Sequence, residues 1–353
     1  MTDQPDATGR RPLWLHVGCS KTGTSSLQAG LWMSVDALAA DGVGLPYVGR
    51  PAHIAGLLRP LGWRPVAGFA GEHRAKALRN VPGTIRDTPG DVLLVSNEDL
   101  AEVRPEDVDA VAALADEAGV DLHVVLTVRD WAQQLPSDYQ QFLKHRLADS
   151  YLTFLDDVRE RRGAWADQFW RRQDPVDILD RWGRAVDPSR MHVIVVPSYS
   201  QDPEGVFNLM GEVVGFDAAS VTRPRGSVNA SFGVVESEVF RRVNAALGDR
   251  LPDYKRDYTE AVRYPFANGV LARSASPKLT LPPEHLGWVQ DLAQRTVATI
   301  RERGYPVHGD LAALVPDDDS ASPLPSYDEA AVAEASITAL ANYAARAPRR
   351  RRD

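Results

Sequence analysis

Residues 13–28 read Leu13-Trp-Leu-His-Val-Gly-Cys-Ser-Lys-Thr-Gly-Thr-Ser-Ser-Leu-Gln28. Leu13 to Val17 is a short apolar run of strand length, after which the chain changes to Gly, Ser, Thr and Lys before a helical pattern begins. This order predicts a strand, a phosphate loop and a helix. Gly18 and Gly23 remove two Cβ atoms, so that consecutive backbone N–H groups can turn inward. A helix starting near Thr24 aims the positive end of its dipole at the same point. The stretch therefore predicts an anion site.

The position of one lysine narrows the anion. Loops that hold nucleoside triphosphates place a lysine directly after the second glycine and a Ser or Thr next. Here Gly18 and Gly23 keep that spacing and Ser25 fills the hydroxyl position, but Thr24 occupies the lysine slot. The lysine stands earlier, at Lys21, where its ammonium is directed toward a group attached beyond the phosphate. The string Lys21-Thr22-Gly23-Thr24-Ser25 resembles the 5′-phosphosulfate loop of sulfotransferases, which take 3′-phosphoadenosine 5′-phosphosulfate (PAPS) as donor. The resemblance implies that Gly18, Ser20, Thr22, Gly23, Thr24 and Ser25 cradle the 5′-phosphate while Lys21 holds the sulfuryl end. Cys19, inside the loop, reads as a small space-filling residue.

A chain of 353 residues, 44% of them hydrophobic, is long enough for one large α/β domain with extensions. The net charge of −8 argues against a general nucleic-acid binder. The longest apolar runs fall far short of the ~20 residues of a spanning helix, and Met1–Pro12 has no apolar core of a signal peptide. These features predict a cytoplasmic protein with no integral membrane segment. A single cysteine excludes an internal disulfide framework and a cysteine-based metal cluster.

Outward from the loop, strand and helix patterns alternate. Ser25–Ala40 has a helical apolar face, Gly44–Pro60 is rich in Gly and Pro, and a helix is expected over His73–Arg79. Asp91–Glu98 is an apolar strand that turns polar at its C-terminal end, where ligands of open α/β sheets bind. Pro105 and Gly119 bracket a helix over Glu106–Ala118. Strand Leu122–Val128, a helix through Arg146, a helical stretch over Phe154–Phe169, helix Ile178–Ala185, strand Met191–Val196 and helix Pro203–Val214 complete the alternation. The fold class is α/β: a three-layer, phosphate-loop type of fold with a central parallel sheet. Helical additions follow at Val234–Leu247 and Pro282–Arg303. Residues 1–11 are expected to be a flexible N-terminus and 12–315 the sulfotransferase-like domain. Residues 316–353 are expected to be a linker with a loosely attached C-terminal helix and a basic tail. His16 and His123, inside apolar strands, read as core, and Gln140, Gln141 and Lys144 as a solvated helix face.

A second motif adds to the resemblance. In sulfotransferases an arginine at a strand end and a serine in the following helix grip the donor's 3′-phosphate. Arg129 and Ser137 have the same residue types, order and spacing. A guanidinium fork and a hydroxyl donor would together distinguish PAPS from a nucleotide that lacks the 3′-phosphate. The late basic segment Arg223-Pro-Arg225-Gly226 resembles the family's loop over that phosphate, although the tryptophan and lysine expected after it are absent. Bacterial, especially actinobacterial, sulfotransferase-like proteins are similar at Arg129–Trp131, Pro136–Gln140, Asn229–Ser231 and Gly304–Leu311. The similarity spans about residues 13–315.

The resemblance implies sulfuryl transfer from PAPS, without a metal, to a hydroxyl of a small molecule, glycolipid or carbohydrate. Such transfer needs in-line geometry, positive charge on the leaving oxygen and a base for the acceptor. Glu98, at a strand end, is the preferred base; His53, in the Pro-rich segment, is the rival. The tryptophan that often stacks on the adenine is replaced by Ser26, which leaves Tyr199 or Trp131 for that task. Two alternatives stay open: a phosphate-loop kinase acting on a small metabolite, and a non-catalytic protein that binds PAPS. Acceptor identity and oligomeric state are unassigned.

Overall fold

The computed structural model describes residues 9–46, 81–224, 232–273 and 276–346. The chain divides into two compact units, each built from three segments. Unit 1 comprises Met1–Asp130, Trp170–Val228 and Leu292–Val315, and unit 2 comprises Trp131–Phe169, Asn229–Asp291 and Pro316–Asp353.

Unit 1 holds a six-stranded sheet in which every pairing is parallel: β1 (Pro12–His16), β2 (Val43–Gly44), β3 (Val92–Ser96), β4 (Asp121–Val128), β5 (Met191–Val195) and β6 (Val307–His308). Their order across the sheet is β2-β3-β1-β4-β5-β6. β1 is therefore central, with Leu15 opposite Val95 on one side and Val124 on the other. Strands buried on both faces need apolar residues at every position, which is why β1 reads as a continuous run. Leu13, Leu15 and Val17 enter one core with Val108, Val111, Ile178 and Trp182, whereas Trp14 enters the other with Leu27, Leu31, Phe207 and Met210. The first face is covered by α3 (Pro105–Ala118), α7 (Pro175–Trp182) and a short helix over 81–87; the second by α1 (Thr24–Met33), α2 (Val35–Ala40) and α8 (Gly205–Val214). Each fully buried Leu or Phe in these layers contributes roughly 1.5–3 kcal/mol. The α/β class and the central parallel sheet expected from the alternation are present.

Local chemistry sets the helix limits. Pro105 occupies the first turn of α3, and Gly119 ends it in the left-handed region at φ 73°. Asp174 accepts from the backbone N–H groups of Val176 and Asp177 at the start of α7. The single helix expected over Ser25–Ala40 is broken at Ser34. The Ser34 N–H closes back on Leu31 O, and its Oγ accepts from Thr222 N at 2.6 Å, which holds the kink. β2 and β6, two residues each, carry too short a pattern to be read from sequence.

Unit 2 contains α4 (Trp131–Leu143), α5 (Tyr151–Glu160), α9 (Val234–Leu247), the start of α10 (Pro283–Glu302) and α11 (Glu329–Arg346), and a π-helix over Tyr254–Asn268 that the sequence pattern did not indicate. The helix expected over Phe154–Phe169 is two: Arg161 at φ 54° ends α5, and Gly163 at φ 78° starts α6 (Gly163–Gln173). Phe142, Phe154, Tyr139 and Tyr151 form an aromatic core with ring centroids 5.0–6.5 Å apart. Gln140 and Lys144 do not face solvent as expected; both are buried. The Gln140 amide donates to Phe232 O at 2.7 Å and accepts from Phe232 N at 3.0 Å, standing in for a backbone partner. Helix α11 is anchored to its neighbours: Arg242 forks onto Glu329 at 2.7 Å through both nitrogens, and the Tyr343 hydroxyl donates to Ala261 O. Among the described residues no helix is long and apolar enough to cross a membrane.

Candidate functional site

All strands of unit 1 are parallel, so their C-terminal ends share one edge. The chain runs outward from β1 to β2, returns to β3 beside β1, and crosses to β4 on β1's other side. The direction of winding thus reverses at β1, the position outside which ligands of open α/β sheets bind. The Gly18–Gly23 loop leaves β1 at this point.

The loop's first half continues along β4. Val17 N donates to Val125 O and Cys19 N to Thr127 O, both at 2.9 Å. Gly18 is required by what lies against it: a Cβ there would meet Thr127 Oγ1 at 2.0 Å and His16 Nε2 at 2.6 Å. The chain then turns sharply, with Lys21 at φ 69° and Gly23 at φ 84°. A left-handed backbone suits Gly23, whereas for Lys21 it costs about 1–2 kcal/mol and has to be held by neighbours. Two contacts brace it. Thr22 Oγ1 donates to Cys19 O at 2.7 Å across the turn, and Gln173 Nε2 donates to Ser20 O at 3.1 Å and Ser20 Oγ at 2.7 Å. Cys19 is buried, as a space-filling residue would be. Helix α1 then begins from Gly23 with no side-chain cap and no acidic residue in its first turn. A helix start of this kind, with neither cap nor carboxylate in its first turn, keeps the positive end of its dipole.

Of the loop residues, Lys21 and Ser25 are half-buried and Gly23 is exposed. Ser20, Thr22 and Thr24 are buried. Glu98 stands beyond the end of β3, the strand next to β1. Asn97 caps the short 3-10 turn Glu98–Glu102, its Oδ1 accepting from Asp99 N at 2.8 Å. The Glu98 carboxylate is instead bonded by Gln28 of α1, whose Nε2 donates to Oε2 at 2.6 Å. Arg129 follows the last residue of β4, on β1's other side, and is half-buried. The loop, Glu98 and Arg129 thus leave three neighbouring strands at one edge of one unit.

Ser137 lies in α4 of unit 2, where its hydroxyl donates to Gln133 O at 3.0 Å. Tyr199, beyond β5, is 78% exposed. Arg223 is engaged within unit 1: it pairs with Glu204, donates to Ala218 O and stacks over the Phe207 ring at 3.9 Å. His53, Arg225 and Gly226 lie outside the described residues.

A solved structure of a sulfotransferase from Alicyclobacillus acidocaldarius is similar to this chain. Identity is 17% and the TM-score 0.39, over 68% of this chain and 95% of that one. No protein-family model matches the chain, and no curated protein matches it.

Four residues of the site carried no functional reading in the sequence. Gln28, Thr127 and Gln173 gave no signal, since each acts through a partner far away along the chain. His16 read as core, and it is fully buried, with burial holding its pKa down to about 3. It is nonetheless bonded on both ring nitrogens, to Ser96 Oγ at 2.7 Å and to Thr127 Oγ1 at 3.0 Å. Only the strand register brings those hydroxyls to it.

Proposed function

We propose that the protein is a sulfotransferase that moves the sulfuryl group of PAPS to a hydroxyl of a small molecule, glycolipid or carbohydrate. The observation that carries this reading is the loop at the sheet's switch point, with its lysine on the left-handed outer bend at Lys21 and a threonine, Thr24, where a triphosphate loop has lysine. A phosphate-bearing group suits this loop, because Gly23 takes the left-handed bend before α1 and α1 opens without a side-chain cap.

The donor supplies a sulfuryl group on a phosphate that is stable once it leaves. Lys21 holds the bridging or sulfuryl oxygens, so that charge building on the 5′-phosphate side meets an ammonium. Backbone N–H groups of the loop and the α1 terminus bind that phosphate, with Ser25 at the helix start. Arg129, from the end of β4, offers a guanidinium fork to the 3′-phosphate. The acceptor hydroxyl gives its proton to Glu98; Gln28 occupies Oε2, which leaves Oε1 as the oxygen that takes it. The new bond forms between the acceptor oxygen and sulfur as the bond from sulfur to the phosphate oxygen breaks. The products are a sulfate ester and adenosine 3′,5′-bisphosphate.

Thermal unfolding with adenosine 3′,5′-bisphosphate, and separately with ATP and magnesium, tests the reading. Stabilisation by the bisphosphate is expected; at a hundredfold excess over Kd it amounts to about 2.7 kcal/mol. Stabilisation by ATP and magnesium alone would replace the reading with the kinase alternative.

A further inference from the structure

The hydroxyl of Thr22 has one proton, and that proton goes to Cys19 O, an acceptor with none of its own. This fixes every bond behind it. Thr22 Oγ1 and Thr127 Oγ1 are 2.8 Å apart, and with the Thr22 proton spent, Thr127 is the donor. Thr127 has then spent its own proton, so the 3.0 Å contact with His16 requires the ring to donate from Nε2. A neutral imidazole protonated at Nε2 accepts at Nδ1, and Ser96 Oγ, 2.7 Å away, supplies the proton. The donors run in one direction: Ser96 to His16, His16 to Thr127, Thr127 to Thr22, Thr22 to Cys19 O. His16, Thr127 and Thr22 are no more than 1% exposed, so solvent does not share the bonds that run from His16 to Cys19 O.

The relay ends on the turn that carries Lys21. The Thr22–Cys19 bond spans that turn, and a lone threonine hydroxyl would be free to rotate away from it. Thr127 removes the freedom by filling the lone pair of Thr22, and His16 does the same for Thr127. We infer that His16 is a positioning residue, which acts through Thr127 and Thr22 to keep the Lys21 turn in its left-handed form and so presets the anion cradle. The identity of the anion rests on the sulfotransferase reading; the relay itself does not.

Two measurements test it. In the protein without ligand, nitrogen-15 NMR of the imidazole should show the His16 proton on Nε2 and none on Nδ1. The reverse tautomer would overturn the relay whatever the protein binds. For function, Thr127→Val keeps the shape and loses the hydroxyl, whereas Thr127→Ser keeps the hydroxyl. Binding of adenosine 3′,5′-bisphosphate by titration calorimetry should weaken by about tenfold in Thr127→Val and by less than about threefold in Thr127→Ser, the scale of one buried hydrogen bond. Equal affinities for Thr127→Val and the unaltered protein would overturn the positioning role. Equal losses in both variants would mark a packing effect and overturn it as well. If the unaltered protein binds no bisphosphate, the sulfotransferase reading fails while the relay stands or falls on the tautomer. The Val and Ser comparison then uses inorganic pyrophosphate as the probe.

Discussion

Gln28, on the second turn of α1, donates a 2.6 Å hydrogen bond to Oε2 of Glu98, which stands beyond the neighbouring strand β3. The helix that begins at the phosphate loop thus also orients the carboxylate proposed as base. Glu98→Gln is expected to lower turnover of labelled PAPS by roughly 10²–10⁴-fold. Gln28→Leu, which frees the carboxylate to rotate, should lower kcat by about tenfold and leave binding of adenosine 3′,5′-bisphosphate unchanged. Full turnover by Glu98→Gln would move the base elsewhere, with His53→Ala the next variant to assay.

Gly18 and Gly23 should differ in how they fail. A methyl at Gly18 collides with Thr127 Oγ1 and His16 Nε2, so Gly18→Ala is expected to displace the loop, destabilise by about 1–3 kcal/mol and abolish bisphosphate binding. At Gly23 a methyl meets, among the described residues, no atom closer than Val206 Cγ1 at 3.6 Å, but the backbone is left-handed. Gly23→Ala should cost about 1–2 kcal/mol from conformation alone. Urea midpoints paired with calorimetric titration separate the two.

Arg181 clamps the turn that begins at Glu98. From α7 its Nη1 donates to Ala101 O at 2.6 Å and Val103 O at 2.7 Å, and its Nη2 to Arg171 O at 2.7 Å. Burial lowers its pKa more than Asp177 raises it. Arg181→Met leaves those carbonyls without their donors and is expected to cost about 2–4 kcal/mol. If urea denaturation shows less than about 1 kcal/mol, the clamp is dispensable.

Acid should weaken the fold through His16. Its folded pKa, about 3, lies below the 6.5 of the free side chain, so between those values the unfolded chain binds the proton and the folded one does not. Stability from this group is complete above about pH 6.5 and falls as pH drops toward 3; by pH 4.5 the loss is about 2–3 kcal/mol. His192, held at about 4 by burial and by His308 and His123, pushes in the same direction. Urea midpoints at about pH 7 and pH 4.5 for the unaltered protein and for His16→Gln should show a smaller acid loss in the variant. Equal losses would contradict the burial of a neutral imidazole.

The strands and the loop were legible because their signals are local: an apolar run buried on both faces, two glycines at a fixed spacing, proline and glycine at helix limits. Val234–Leu247 is legible to the residue. What failed to show was either too short, as with β2 and β6, or dependent on partners distant in sequence. The break at Ser34 comes from Thr222, and the burial of Gln140 from Phe232. The π-helix over Tyr254–Asn268 gave no helical reading, since its i→i+5 bonding departs from the 3.6-residue period by which helices are read and Pro265 interrupts it. The candidate site divides in the same way: Glu98 and Arg129 follow strand ends and Lys21 the loop motif, whereas the contacts of His16 and Thr127 come from strand register and that of Gln28 from the packing of α1 beside β3.

The brace on the Lys21 turn also has a schedule. His16 bonds to residues 80 and 111 positions further along the chain, and β1 pairs with strands that emerge equally late. During synthesis the Gly18–Gly23 segment is complete long before anything can close it. An N-terminal fragment ending before β4 would carry the whole motif without Thr127, the middle of the relay, and without Gln173. On the proposed reading, capture of the anion is therefore a late folding event, and a donor analogue should bind growing chains only after Thr127 has cleared the ribosome.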